Sequence, residues 1–135
     1  MENMSVRGFR KLEVWRRARV LAVAVCRVTQ TSAFARDIGF PSRKSGAAVS
    51  APSNIAEGDE RGSARDMIKF LFIAKGSLAE SQTQIEIARD AEMLSSAQAN
   101  PLFDESKEHA RMPGGLIKVK SKIINPHASY LIPVA

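Results

Sequence analysis

Six polar side chains at helical spacing are the residues of this 135-residue chain whose types could do chemistry. Ser50, Asn54, Glu57 and Arg61 fall on one stripe of a helix, and Ser77 and Glu80 fall on a stripe of the next. Two carboxylates flanking one bond could act as acid and base, a serine beside a histidine could be a nucleophile, and Glu-x-x-His on facing helices could hold two metal ions. Each option fails on spacing. If the two helices form a hairpin turning near Gly62 and Ser63, residues whose numbers sum to about 125 share a height. Glu57 and Glu80 then stand about twelve residues apart, roughly 18 Å along a helix, which is too far to act on one bond. The histidines, His109 and His127, lie outside the motif, and neither sits three residues after a glutamate. Gly58 and Gly76 open no glycine-rich turn after a strand, so both are read as close-packing positions and not as a phosphate loop. No catalytic residue, metal or cofactor is expected. The polar stripes are read instead as a hydrogen-bonded seam that fixes helix register and subunit pairing.

Four helices must carry that seam. Val14, Ala18, Leu21, Val25 and Val28 recur at three- and four-residue steps, with Trp15, Ala22 and Cys26 widening the stripe, and predict a first helix over 11–31. A loop over 34–39 follows. The second helix is expected over 41–59, with Pro41 in its first turn and a kink at Pro52, which cannot donate to the carbonyl of Ala48. Its small-residue line, Ala48, Ala51, Ile55 and Gly58, invites close packing. Ser63 with Asp66 makes a variant capping box for a third helix running to about Met93, whose apolar line is Met67, Leu71, Ala74, Leu78, Ile85 and Ala88. Asn100 as cap and Pro101 at the first position announce the fourth helix. Pro113-Gly114-Gly115 then either stops it near Arg111 or leaves a short further piece over 116–122. The expected fold is an all-α, up-down-up-down antiparallel four-helix bundle over 1–122, with an extended or disordered tail over 123–135.

The string from Val49 to Gly58 (Val-Ser-Ala-Pro-Ser-Asn-Ile-Ala-Glu-Gly), followed by Arg61, Phe70-Leu71, Ile73-Ala74 and Gly76-Ser-Leu-Ala-Glu80, resembles the 23S rRNA intervening-sequence proteins. The likeness extends upstream to Leu12-Glu-Val-Trp15 and downstream to Gly115-Leu-Ile117. It implies a small bacterial four-helix bundle that assembles as a homopentamer. One branch of the family is the accessory protein of diversity-generating retroelements, which contacts a reverse transcriptase and nucleic acid. This chain departs where the family usually has arginines, at Ser45 and Gly46, and where it usually has glutamine, at Arg43. That leaves Glu80 without its expected partner. If its carboxylate is buried, Arg43, Lys44 or a neighbouring subunit must supply the cation.

Charge is uneven along the chain. Lys and Arg outnumber Asp and Glu by 20 to 14, a net +6. The stretch 7–27 holds seven basic residues against the single acid Glu13, and Lys118, Lys120 and Lys122 follow the last acid, Glu108. Arg10, Arg16, Arg17, Arg19 and Arg27 are therefore the candidate nucleic-acid contacts, dominated by phosphates and sensitive to salt. Aromatic residues are too few for a base-stacking platform. One cysteine excludes an intrachain disulfide and suits a reducing cytoplasm. The apolar run 20–26 is too short to cross a bilayer and is followed at once by Arg27, so it reads as core helix and not as a leader or membrane span. The sequence thus points to a non-enzymatic, self-associating, cytoplasmic bundle that binds RNA or DNA. The rival reading is a scaffold or accessory subunit for a protein such as a reverse transcriptase.

Overall fold

The structure is a computed structural model that describes residues 8–31 and 46–124. A 3-10 turn, Gly8–Lys11, leads into α1 (Glu13–Thr31); α2 (Gly46–Glu60), α3 (Ala64–Asp90) and α4 (Ser96–Ile124) follow. The described residues hold four α-helices and no strand. Each helix packs chiefly on two others, in the cycle α1–α2–α3–α4 and back to α1. The start expected for α2 at Pro41, the loop over 34–39, Arg43, Lys44, Ser45, His127 and the tail from 125 onward lie outside the described residues.

The apolar periodicity is what closes this bundle. Val14, Ala18, Leu21, Ala22 and Val25 of α1 are buried, and so is the whole expected line of α3. They meet Ala48, Ala51 and Ile55 of α2 and Ala99, Leu102 and Ile117 of α4 in one continuous core. Helix α2 stays helical through Pro52, which is itself buried.

Helix α3 begins as its sequence predicts. The Ser63 hydroxyl accepts from the Asp66 N–H at 3.1 Å and donates to Asp66 Oδ2 at 3.0 Å, and Gly62 turns the chain at φ +80. It ends at Asp90 and not near Met93, because Glu92 takes a left-handed φ of 60. The Met93 and Leu94 N–H groups then fold back onto the Ala88 carbonyl.

Helix α4 departs most from expectation. It starts one turn earlier, capped by Ser95: Ser95 Oγ accepts from the Gln98 N–H at 3.1 Å, and Gln98 Oε1 accepts from the Ser95 N–H at 3.1 Å. This is a full capping box. Asn100 is no cap; its side-chain oxygen accepts from Arg89 at 3.0 Å. Pro101 sits inside the helix, where its missing N–H leaves only the carbonyl of exposed Ala97 without a helical donor. Nor does the Pro113-Gly-Gly stretch interrupt α4, which runs on to Ile124. Pro113 is fully buried, and Leu116 and Ile117 just beyond it join the core, so packing outweighs the local preference to break.

The two helical glycines read as packing positions have opposite surroundings. A Cβ built on Gly58 would lie 2.8 Å from Phe70 Cβ and 3.1 Å from Met67 Sδ, whereas one on Gly76 meets nothing within 4 Å. Gly76 is therefore not a close-packing position. Gly58→Ala is expected to destabilise the fold by about 1–3 kcal/mol through overpacking. Gly76→Ala, in an exposed helix interior, is expected to stabilise it by about 0.5–1 kcal/mol. Urea unfolding of both variants checks the pair, and equal effects would overturn the assignment.

Candidate functional site

The expected polar seam divides into a buried half and a solvent half. Ser50 Oγ lies 2.9 Å from Ser77 Oγ across the α2–α3 contact, and Asn54 Nδ2 donates to both the carbonyl and the hydroxyl of Ser50 at 2.9 Å. Ser77 donates to the Ile73 carbonyl at 3.1 Å. With the single proton of Ser77 used there, Ser50 donates to Ser77, and the hydrogen bonds run in one direction from Asn54 to Ile73. The pairing sets the register at a sum of 127, two residues from the sequence expectation, so Ser50 faces Ser77 and not Lys75.

Glu57 and Arg61 leave the seam. Arg61 donates to Glu57 Oε2 at 2.9 Å on the exposed side of α2, and its guanidinium covers the Phe70 ring at 5.0 Å. Glu57, which the expected hairpin heights set near Lys69 and Arg65, pairs with Arg61 of its own stripe. Glu80 is exposed on α3, so no buried carboxylate needs a cation from the segment around Arg43. Glu57 and Glu80 are both exposed. Among the described residues no group of His, Cys, Asp or Glu could hold a metal ion.

The arginines of α1 also divide. Arg16 pairs with Glu13 at 2.8 Å, and Arg17 reaches Glu105 of α4 at 3.8 Å. Arg10 lies over the Phe9 ring at 4.7 Å. Arg10, Arg19 and Arg27 rim an open groove of about 610 Å³ between α1 and α2, floored by Trp15, Ala22, Val49 and Pro52. Among the described residues no acid lines it. At the start of α1 a second, smaller groove joins Leu12, Glu13 and Val14 to Met112, Leu116 and Val119 of α4. That contact brings the exposed Lys118 and Lys122 to the same end of the bundle as Arg10 and Lys11.

His109 is the residue that sequence reasoning passed over. It is only 2% exposed, inside α4, with Nε2 2.9 Å from Glu105 Oε2 in a direction short of a well-aligned hydrogen bond, and among the described residues Nδ1 has no hydrogen-bond partner. The signal was present: Glu105 precedes it by four residues, one helical turn. Burial pushes the imidazole below its ordinary value; Glu105 opposes that shift, the Arg17 charge adds to it, and Glu108 opposes it weakly. A neutral native histidine means that, below about pH 6.5, the unfolded chain binds the extra proton first. Stability is therefore full above that pH and is lost as the pH falls toward the lowered native value. The melting temperature is expected to drop between pH 7.5 and 5.5, and His109→Leu is expected to flatten that drop. Equal slopes in both proteins would refute the assignment.

No helix among the described residues is long and apolar enough to cross a membrane. No curated protein and no solved structure matches the chain. The sequence model of one protein family, described as 23S rRNA-intervening sequence protein, matches residues 10–115, from the turn before α1 through the Pro-Gly-Gly stretch of α4. That match takes in the Ser50–Ser77 seam, Gly58 and the groove between α1 and α2, and the chain belongs to the 23S rRNA-intervening sequence protein family.

Proposed function

We propose that this protein is a non-enzymatic, self-associating helical bundle of the cytoplasm that holds structured RNA or DNA by its phosphates at one basic end. The observation that carries the reading is the meeting of two cationic stretches. Residues 109–124 contain Arg111, Lys118, Lys120 and Lys122 and no acid, and they pack against the first turn of α1, next to Arg10 and Lys11. Within that surface Glu13 is the acid nearest in sequence, and it is engaged by Arg16.

The contribution of α1 is narrower than its composition implies. Arg16 and Arg17 each have a carboxylate beside them, so they offer less net charge to a polyanion than Arg10, Lys11 and the α4 lysines do. Exposed lysines reach phosphates as point charges and read no base edge, so the binding is independent of sequence and strongly dependent on salt. Self-association, to the homopentamer that membership in this family suggests, would present several such ends to one nucleic acid and raise the combined affinity. A second reading, a scaffold for a protein such as a reverse transcriptase, draws its support from the apolar floor of the α1–α2 groove.

The test is a fluorescence anisotropy titration of a hairpin RNA and a DNA duplex at 50 and 200 mM salt. Affinity is expected to fall steeply with salt for both ligands. Replacing Lys118 and Lys122 with Ala is expected to weaken binding at low salt and to reduce the slope of log K against log salt by about 2. Circular dichroism is expected to be unchanged. Absent or salt-independent binding would remove the proposal.

A further inference from the structure

The last turns of α4 carry two parallel lines of side chains with different chemistry. Arg111, Gly115, Lys118 and Lys122 follow one another at steps of four, three and four, and Met112, Leu116, Val119 and Ile123 do the same one position along. One line is cationic and its neighbour is apolar. Arg111, Lys118 and Lys122 are exposed, and so are Val119 at 57% and Ile123 at 62%, while Pro113 and Ile117 turn into the core. Met112, Leu116 and Val119 also wall the cleft of about 340 Å³ that Leu12 and Val14 of α1 close from the other side. Gly115 belongs to the basic line and lines the cleft as well, and a Cβ built on it would meet nothing within 4 Å. The way from the cations into the cleft is therefore open.

Three acids border this surface. Glu105 and Glu108 precede Arg111 on α4, and Glu13 lines the cleft from α1, where Arg16 holds it at 2.8 Å. From Arg111 to Ile124 the chain has no acid.

We propose that this end of the bundle takes an unpaired stretch of a nucleic-acid strand, with phosphates on Lys118 and Lys122 and bases on Val119, Ile123 and the cleft. This rests on the nucleic-acid reading above and names the part of the ligand that the basic end holds. A polynucleotide strand is itself two-lined, with anionic phosphates along one edge and flat base faces along the other. In a duplex those faces are stacked inward, so only a loop or a single strand offers both edges to one helix face. From Arg111 to Ile123 the two lines run about 18 Å, which accommodates several nucleotides. Aliphatic side chains cover base faces by removing apolar area from water, without the ring stacking for which this chain has too few aromatics. They touch no base edge, so the preference is for an unpaired strand and not for a sequence.

The two lines make a prediction that charge alone does not. A surface holding only phosphates favours a duplex, which packs its charges twice as densely along its axis as one of its strands does. A surface with both lines favours the strand.

The experiment is an anisotropy titration of the native chain with an oligouridine strand and with a fully paired RNA duplex of equal length, at low and at high salt. At high salt, where phosphate contacts are weakest, the strand is expected to bind about tenfold more tightly than the duplex. Replacing Val119 and Ile123 together with Ser, both at exposed positions, is expected to remove that preference while helicity and the salt slope stay as in the native chain, because no charge changes. A duplex bound as tightly as the strand, or a preference that survives the double serine variant, would overturn this inference and leave the phosphate reading standing. Binding of neither ligand would remove both.

Discussion

The close approach of α2 to α3 at Gly58 is the constraint on which the other features depend. With Phe70 Cβ only 2.8 Å from where a side chain would begin, the two helices meet with nothing between them. Two turns away, Ser50 and Ser77 share a hydrogen bond at 2.9 Å. The glycine sets the separation and the serines set the register. A hydroxyl pair can form only where the backbones are this near, and leaving either hydroxyl unpaired in that contact would cost about 1–3 kcal/mol. The pair therefore disfavours a slide of one helix along the other. Polar groups buried at a seam do more for uniqueness of packing than for net stability, and this chain uses small uncharged ones, which need little compensation.

Register on the inside decides which charges are left on the outside. Once Ala74, Leu78, Ile85 and Ala88 face the core, Glu80, Glu86 and Ile87 must lie on the far side of α3. The same logic in α1 sends Val14, Ala18, Leu21 and Val25 inward and turns Arg17 toward α4, where Glu105 stands between it and His109. That carboxylate faces two groups with different demands. Burial favours the neutral imidazole of His109, and the Glu105 carboxylate 2.9 Å from it and 3.8 Å from Arg17 opposes that shift. Arg17 is in this way tied to an acid of its own chain.

Much of this was legible in the sequence, and the failures share a cause. Apolar periodicity identified the core lines of α1 and α3, and the small line of α2, because burial repeats with the helix. The Ser63–Asp66 cap was legible because capping is local chemistry. The start of α4 was misplaced because Asn100-Pro101 is a strong local signal, and the weaker-looking Ser95 and Gln98 form the true reciprocal pair. The persistence of α4 through Pro113 could not be read locally at all. It follows from tertiary burial of Leu116 and Ile117 beyond the break, which no window centred on the proline contains. Glu57, Arg61 and Glu80 were assigned to the seam because spacing shows which residues share a stripe and not how far round the helix the partner's cover reaches; all three are exposed.

One stripe of α2 supplies both an internal register pin and an external ion pair: Ser50 meets Ser77 across the α2–α3 contact, while Glu57 and Arg61 pair with each other in solvent although Gly58 between them packs on α3. On α3 the opposite face stays in solvent over its full length, and isoleucines exposed at 42% and 58% there are hard to reconcile with a surface meant for water alone. A lone exposed apolar residue needs no explanation. Two lie on one ridge of α3, at Ile73 and Ile87, and the phase that buries Ala74, Leu78, Ile85 and Ala88 is what puts them there.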